Sequence, residues 1–118
     1  MSASGRDDDI EREPAMVAAM LADGEAPQLV DVREPYEREA GYIEGSRHVE
    51  LGQLPAHAES FKRERAVIFY CRLGSRSLMA AQALRASGYE AYSMSGGLVR
   101  WVQEGRPLAP EGGFVAEH

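Results

Sequence analysis

The chain has 118 residues, a net charge of −6, one cysteine, and 44% hydrophobic against 27% charged residues, the profile of one globular domain. A single cysteine excludes an internal disulfide, a CxxC redox pair and a multi-cysteine zinc site, and the acidic balance argues against nucleic acid as a main partner. No apolar run approaches the ~18 residues of a membrane span and the start lacks a secretory profile, so the expectation is no membrane partner and a cytoplasmic location, where a lone thiol stays reduced.

In chain order, residues 1–9 are small and polar and end in Asp7-Asp8-Asp9, which reads as a flexible start. Ile10 to Glu13 is a short edge-strand candidate. Pro14 suits the first turn of a helix, and Ala15 to Ala22 are good helix formers closed by Asp23-Gly24. Gln28 to Val32 reads as a buried strand between Pro27 and Glu34-Pro35, and Pro35 to Glu39 as a short helix. A turn-rich loop, Gly41 to Gly45, precedes a short strand at His48 to Leu51 and a weak helix within Gly52 to Ser60. Ala66 to Tyr70 is five apolar residues in a row, the pattern of a strand covered on both faces. Ser77 to Ser87 is helical in composition and closes at Gly88. Glu90 to Met94 is a fifth strand candidate, and Leu98 to Glu104 a helix after the Ser95-Gly96-Gly97 turn. The tail beyond Leu108 is rich in Gly, Pro and Glu and reads as mobile. Strands alternate with helices, so the fold class is α/β, a central mainly parallel five-stranded sheet flanked by helices. The expected organisation is a flexible N-terminus over 1–9, one domain over 10–110 and a flexible tail over 111–118.

Charge is unevenly spread. Residues 66–101 carry Arg72, Arg76, Arg85 and Arg100 against Glu90 alone, and Cys71 lies in that basic stretch at the end of the most apolar strand. Ligands of open α/β sheets bind beyond the carboxyl ends of strands. The segment Cys71-Arg72-Leu73-Gly74-Ser75-Arg76 joins that strand to a helix. Such a tight loop turns its N–H groups inward and, with the helix start, makes an anion-binding concavity. Gly74 permits the backbone angles this needs. Arg76 at a helix start opposes the helix dipole, a local conflict that points to an anion clamp. Helix starts and nearby arginines favour the thiolate form of a cysteine. A buried inert cysteine is the commoner fate of a lone thiol, but strand end, glycine loop, two arginines and helix start together favour a nucleophile.

Four segments carry a family resemblance. Cys71-Arg72-Leu73-Gly74-Ser75-Arg76-Ser77 resembles the active-site loop of the rhodanese sulfurtransferases. Leu29-Val30-Asp31-Val32-Arg33-Glu34 is similar to that family's signature strand and turn, Gly41-Tyr42-Ile43-Glu44-Gly45-Ser46 to its GHIPGA segment, and Ser95-Gly96-Gly97-Leu98 with Trp101 to its closing GG-hydrophobic-x-x-W element. They stand in family order and cover roughly residues 10–110. The resemblance implies a single-domain rhodanese-like fold and a sulfurtransferase. Cys71 takes the outer sulfur of a small anionic donor, thiosulfate or a persulfide, and passes it to cyanide or a thiol, on a small molecule or a protein. Backbone amides of Arg72 to Arg76 form the cradle, with Arg72, Leu73, Gly74, Ser75 and Arg76 as substrate-binding residues. No metal or organic cofactor is implied.

Four residues separate Cys71 from Arg76; the related cysteine phosphatases carry one more, which widens the cradle for phosphate. The shorter loop suits a sulfur atom. Leu73 stands where thiosulfate-specialised relatives tend to carry Lys, which weakens thiosulfate as the physiological donor. Asp31 and Arg33, two apart on a strand, point to one side; they either anchor the catalytic loop or shape the anion site, or form a structural ion pair, the plainer reading. Arg72 either guides anions or is a solvated side chain. Gly96 and Gly97 let the backbone pass close to the cradle or simply enter a helix. Trp101 reads as core, and His48 and His57 as structural or exposed. Tyr42, Glu44, Arg47 and His48 depart from the family pattern in a flanking loop. The alternative from another class is a rhodanese-fold sulfur sensor or protein-interaction module without turnover.

Overall fold

The structure is a computed structural model that describes residues 10–24 and 26–118; the flexible start expected for residues 1–9 lies outside them. The elements are β1 (Glu11–Arg12), α1 (Pro14–Ala22), β2 (Gln28–Asp31), α2 (Pro35–Ala40), β3 (Arg47–His48), α3 (Leu54–His57) between two 3-10 turns, β4 (Val67–Tyr70), α4 (Ser75–Ala86), β5 (Ala91–Met94) and α5 (Gly97–Gln103). The strands form one five-stranded sheet in the order β1-β5-β4-β2-β3. Every strand pair is parallel, which confirms the α/β class and leaves β1 and β3 as edges.

β4 is central, and all four of its residues are buried. Its alternating side chains build two cores. Val67 and Phe69, followed by Cys71, face the side where Ala80, Ala81 and Leu84 of α4 pack with Val30 and Val32. Ile68 and Tyr70 face Val17 of α1, Leu98 and Trp101 of α5, and Met94. An apolar run without alternation is what a strand covered by helices on both faces requires. Each such fully buried Ile or Phe contributes about 1.5–3 kcal/mol.

Two element boundaries differ from expectation for identifiable reasons. The strand expected at His48 to Leu51 is Arg47–His48, and Leu51 opens a 3-10 turn. The chain still bonds to the end of β2 there, Val49 N–H to the Asp31 carbonyl at 3.0 Å and Leu51 N–H to that of Val32 at 3.1 Å, but without a continued ladder. The helix expected from Ser77 begins at Ser75, because Gly74 at φ 116° completes the turn within the loop.

The tail, expected from its composition to be mobile, makes backbone and side-chain bonds to the domain in the structure. Tyr42 and Ala109 exchange backbone bonds of 2.8 and 2.7 Å, and Phe114 N–H donates to the Ala40 carbonyl at 2.9 Å. Gly41 makes this possible, since a Cβ there would stand 2.6 Å from the Phe114 carbonyl oxygen. Trp101 Nε1 donates to the Pro107 carbonyl at 2.9 Å and Tyr36 Oη to that of Glu117 at 3.1 Å. Residues 108–118 are thereby laid back along α2. Among the described residues no helix is long and apolar enough to cross a membrane.

Candidate active site

Cys71 follows β4 directly and is 1% exposed. Its Sγ accepts the Gly74 N–H at 3.1 Å and the Ser77 N–H at 3.4 Å. Its thiol lies 3.5 Å from Ser77 Oγ. Four loop residues therefore fold the first turn of α4 back onto the sulfur. The N–H groups of Leu73, Ser75 and Arg76 have no acceptor among the described residues. Backbone donors gathered on a sulfur at a helix start favour negative charge there.

Ser77 is a site residue the sequence reading did not single out. Its Oγ donates to the Gly74 carbonyl at 3.1 Å and lies 2.7 Å from Ser93 Oγ on β5. It braces the loop from below. Its place in the loop motif was visible; its partner on a distant strand was not.

Gly96 and Gly97 bring β5 and α5 against the loop. Both have positive φ, 76° and 63°. A Cβ on Gly97 would run into the Arg72 carbonyl. That closeness lets Leu98 N–H bond the Cys71 carbonyl at 2.8 Å and Val99 N–H that of Arg72 at 3.1 Å. The carbonyls of Cys71 and Arg72 thus point at α5, while that of Gly74 is taken up by Ser77 and Leu78 of α4.

Arg76 has a different partner from the anion that the sequence reading assigned to it. Its two terminal nitrogens grip the Glu37 carboxylate at 2.8 and 3.1 Å. Glu37 is fully buried and sits on α2, where its Oε1 also accepts the Glu34 N–H at 3.0 Å. Burial pushes the Glu37 carboxyl up, but bonds from Arg76 and the Glu34 backbone outweigh it and hold the group below its ordinary value. The bond to Glu37 likewise raises Arg76, against the opposing effect of burial. The charge at the start of α4 is thus balanced by a carboxylate, and the pair fastens the loop to α2. Glu37 was legible as the third residue of a helix start but not as the arginine's partner.

Asp31 and Arg33 form a fully buried bidentate pair, with Nε–Oδ1 at 2.9 Å and a second bond at 2.8 Å. Arg33 also donates to the Gly41 carbonyl at 2.7 Å, and Arg38 joins Ser46 to Asp31. Burial and the charge of Asp31 push the Tyr70 phenol up to about 12, and its hydroxyl holds the Ile43 N–H at 3.0 Å. This network ties the end of β2 to the 41–46 loop; no hydrogen bond links Asp31 or Arg33 to the Cys71 loop among the described residues. His48 Nε2 lies 2.7 Å from the Arg33 carbonyl oxygen, and Trp101 is core.

Arg72, Leu73, Ser75, Arg76 and His118 line a cleft of about 240 Å³ at the loop. A larger open groove of about 620 Å³ runs along β1 and α1 past Glu11, Arg12 and Met16, but it holds no nucleophile. The smaller cleft is the one bordered by the Cys71 loop.

The family model for the rhodanese-like domain matches residues 13–104. This chain belongs to the rhodanese-like domain family. Among its relatives, the Bacillus subtilis protein YqhL is 43% identical over 75 residues, 63% of this chain and 60% of that one. This chain therefore spans less than two thirds of that relative. A sulfurtransferase of Allochromatium vinosum is 36% identical over 94 residues, 78% of this chain and 88% of its own length. A rhodanese-related protein of Thermoplasma volcanium superimposes with a TM-score of 0.78 at 26% identity, over 84% of this chain and 96% of its own. A Bacillus halodurans protein reaches 0.82 at 18% identity, over 97% and 86%, a likeness of fold alone. The rhodanese-like match takes in all four motifs, and its boundaries run from just before α1 to just after α5.

Proposed function

We propose that this rhodanese-like domain is a sulfurtransferase that carries sulfur on Cys71. The observation that carries the reading is the Sγ of Cys71 under two backbone N–H donors, with the Leu73, Ser75 and Arg76 amides of the same loop without an acceptor among the described residues. In the first half-reaction the Cys71 thiolate attacks the outer sulfur of a small anionic donor such as thiosulfate. The sulfur–sulfur bond of the donor breaks and sulfite leaves with the electron pair. In the second, cyanide or a thiolate attacks the terminal sulfur of the Cys71 persulfide and the electron pair returns to Cys71. The amides of Leu73, Gly74, Ser75, Arg76 and Ser77 hold the negative charge in both states. Arg76 fixes the loop through Glu37, which leaves Arg72 as the guanidinium open to an anion. The buried Asp31–Arg33 pair supports the neighbouring loop rather than the reacting atoms.

Incubation with thiosulfate or polysulfide is expected to add one sulfur atom to the protein by intact mass, and Cys71→Ser to remove the addition and all turnover. An unchanged mass would sink the proposal. The near-complete burial of Cys71 also favours a second reading, a sulfur sensor or interaction module that loads but does not turn over. Rapid discharge of the loaded protein by cyanide or a thiol decides for the transferase; a persulfide that persists decides for the sensor.

A further inference from the structure

Beneath the Cys71 loop two hydroxyls meet. Ser77 of α4 and Ser93 of β5 are both fully buried, and their Oγ atoms lie 2.7 Å apart. Ser93 Oγ has no other hydrogen-bond partner among the described residues. A buried hydroxyl proton without an acceptor is costly. The Ser93 O–H therefore donates to Ser77 Oγ, because in the reverse arrangement its own proton would have nowhere to go. That fixes the direction of the pair and leaves the Ser77 proton two places. One is the Gly74 carbonyl at 3.1 Å. The other is Cys71 Sγ at 3.5 Å, within reach for sulfur. The Gly74 carbonyl also accepts the Leu78 N–H at 3.1 Å, so it stays bonded if the hydroxyl turns away.

We infer that Ser93 is a positioning residue for the Cys71 thiolate: by committing its proton to Ser77 Oγ, it lets the Ser77 hydroxyl leave the Gly74 carbonyl and donate to Sγ once the thiol proton is gone. This deepens the sulfurtransferase reading and rests on it only for the use made of the thiolate. While Cys71 is a thiol, its S–H points at Ser77 Oγ, which accepts from Cys71 and Ser93 and donates to Gly74. When the thiol ionises, its proton passes to solvent water and Sγ becomes an acceptor only. The Ser77 proton swings onto it and joins the Gly74 and Ser77 N–H donors. Both hydroxyl protons stay on their own oxygens, and no bond between heavy atoms forms or breaks. Without Ser93 the S–H is the last donor to the Ser77 oxygen, and ionisation leaves that oxygen with none. The charges around the sulfur lie elsewhere. Arg76 of α4 acts on Cys71 with Glu37 of α2 behind it, and Arg72 adjoins it in the loop. β2, β4 and β5 turn Val30, Val32, Phe69 and Ala91 toward this core.

Cys71 is the sole cysteine, so the pH dependence of alkylation of the full chain by iodoacetamide, followed by intact mass, reads its ionisation alone. Ser93→Ala is expected to move the midpoint of that profile up by about one pH unit, roughly a tenfold change in the thiolate equilibrium. Ser93→Thr keeps the hydroxyl and should return the midpoint to its wild-type place. Ser77→Ala should raise it as well. Adding Ser93→Ala to Ser77→Ala should raise it no further, since Ser93 acts only through Ser77. A merely structural role of Ser93 would lower the urea midpoint and leave the alkylation profile in place. An unmoved profile in folded Ser93→Ala overturns the inference, as does a further rise in the double variant or a Ser93→Thr profile that stays at the alanine position. Should Ser93→Ala not fold, an unmoved profile in Ser77→Ala overturns it in the same way. No sulfur donor takes part in the measurement, so a protein that never loads sulfur overturns the sulfurtransferase reading and leaves this inference standing.

Discussion

Ser77 shows how little side chain the sulfur needs and how closely it is braced. Its backbone N–H reaches Sγ, while its Oγ spans the Gly74 carbonyl and Ser93 Oγ. Ser77→Ala keeps the amide and strands the Ser93 hydroxyl in a buried place. The expected cost is about 1–3 kcal/mol of stability, the penalty for an unsatisfied buried polar group, read as a lower urea midpoint. Because the amide survives, sulfur loading by intact mass should persist at a reduced rate. Complete loss of loading in a folded Ser77→Ala protein would mean that the hydroxyl, not the amide, carries the charge.

At the scale of elements, the loop is held by α5 as much as by α4. Gly97 has φ 63° and lies directly beneath the Arg72 carbonyl, so two helix-start amides of α5 can take the carbonyls of Cys71 and Arg72. Gly97→Ala must move one element or the other. A destabilisation of about 1–3 kcal/mol is expected from the strained backbone. Turnover is expected to fall by ten- to a hundredfold, since a misplacement of ~1 Å has costs on that scale. The two can be separated by measuring urea unfolding and sulfur transfer on the same sample. Wild-type activity in that variant would show the close approach to be incidental.

Across the whole molecule, α2 is the clamp that joins the sheet edge, the tail and the Cys71 loop. Its centre is Glu37, buried and gripped by Arg76. The native carboxyl lies below its ordinary value of 4.5. A carboxylate depressed in the folded state binds its proton less readily than in the unfolded chain. Its stabilisation is therefore complete above about pH 4.5 and disappears as pH falls through the lower native value. Urea midpoints should drop with acidification in that window, and Glu37→Gln should flatten the drop while costing about 3 kcal/mol near neutrality, as one partner of a buried pair is lost. An identical acid profile in the variant would assign the loss to other carboxylates.

Much of this was legible in the residues. The apolar run Ala66 to Tyr70 announced a central strand because a strand covered on both faces has no polar side to alternate. The Cys71-to-Arg76 spacing placed a thiol under a helix start because Gly74 supplies the left-handed residue that a tight strand-to-helix turn needs. The parallel sheet followed from strands alternating with helices. What local pattern could not supply were partners far apart in the chain: Glu37 for Arg76, Ser93 for Ser77, Gly97 for the Arg72 carbonyl, and His118 for the cleft. Composition marked the tail as mobile, since Gly, Pro and Glu have weak preferences of their own. Only the packed structure, with Gly41 bare enough to let Phe114 approach, decided where that tail lies. Charge shows the same division: the sequence by itself determined that two arginines follow the cysteine, and tertiary pairing decided that Arg76 is balanced by Glu37 while Arg72 has no ion pair among the described residues.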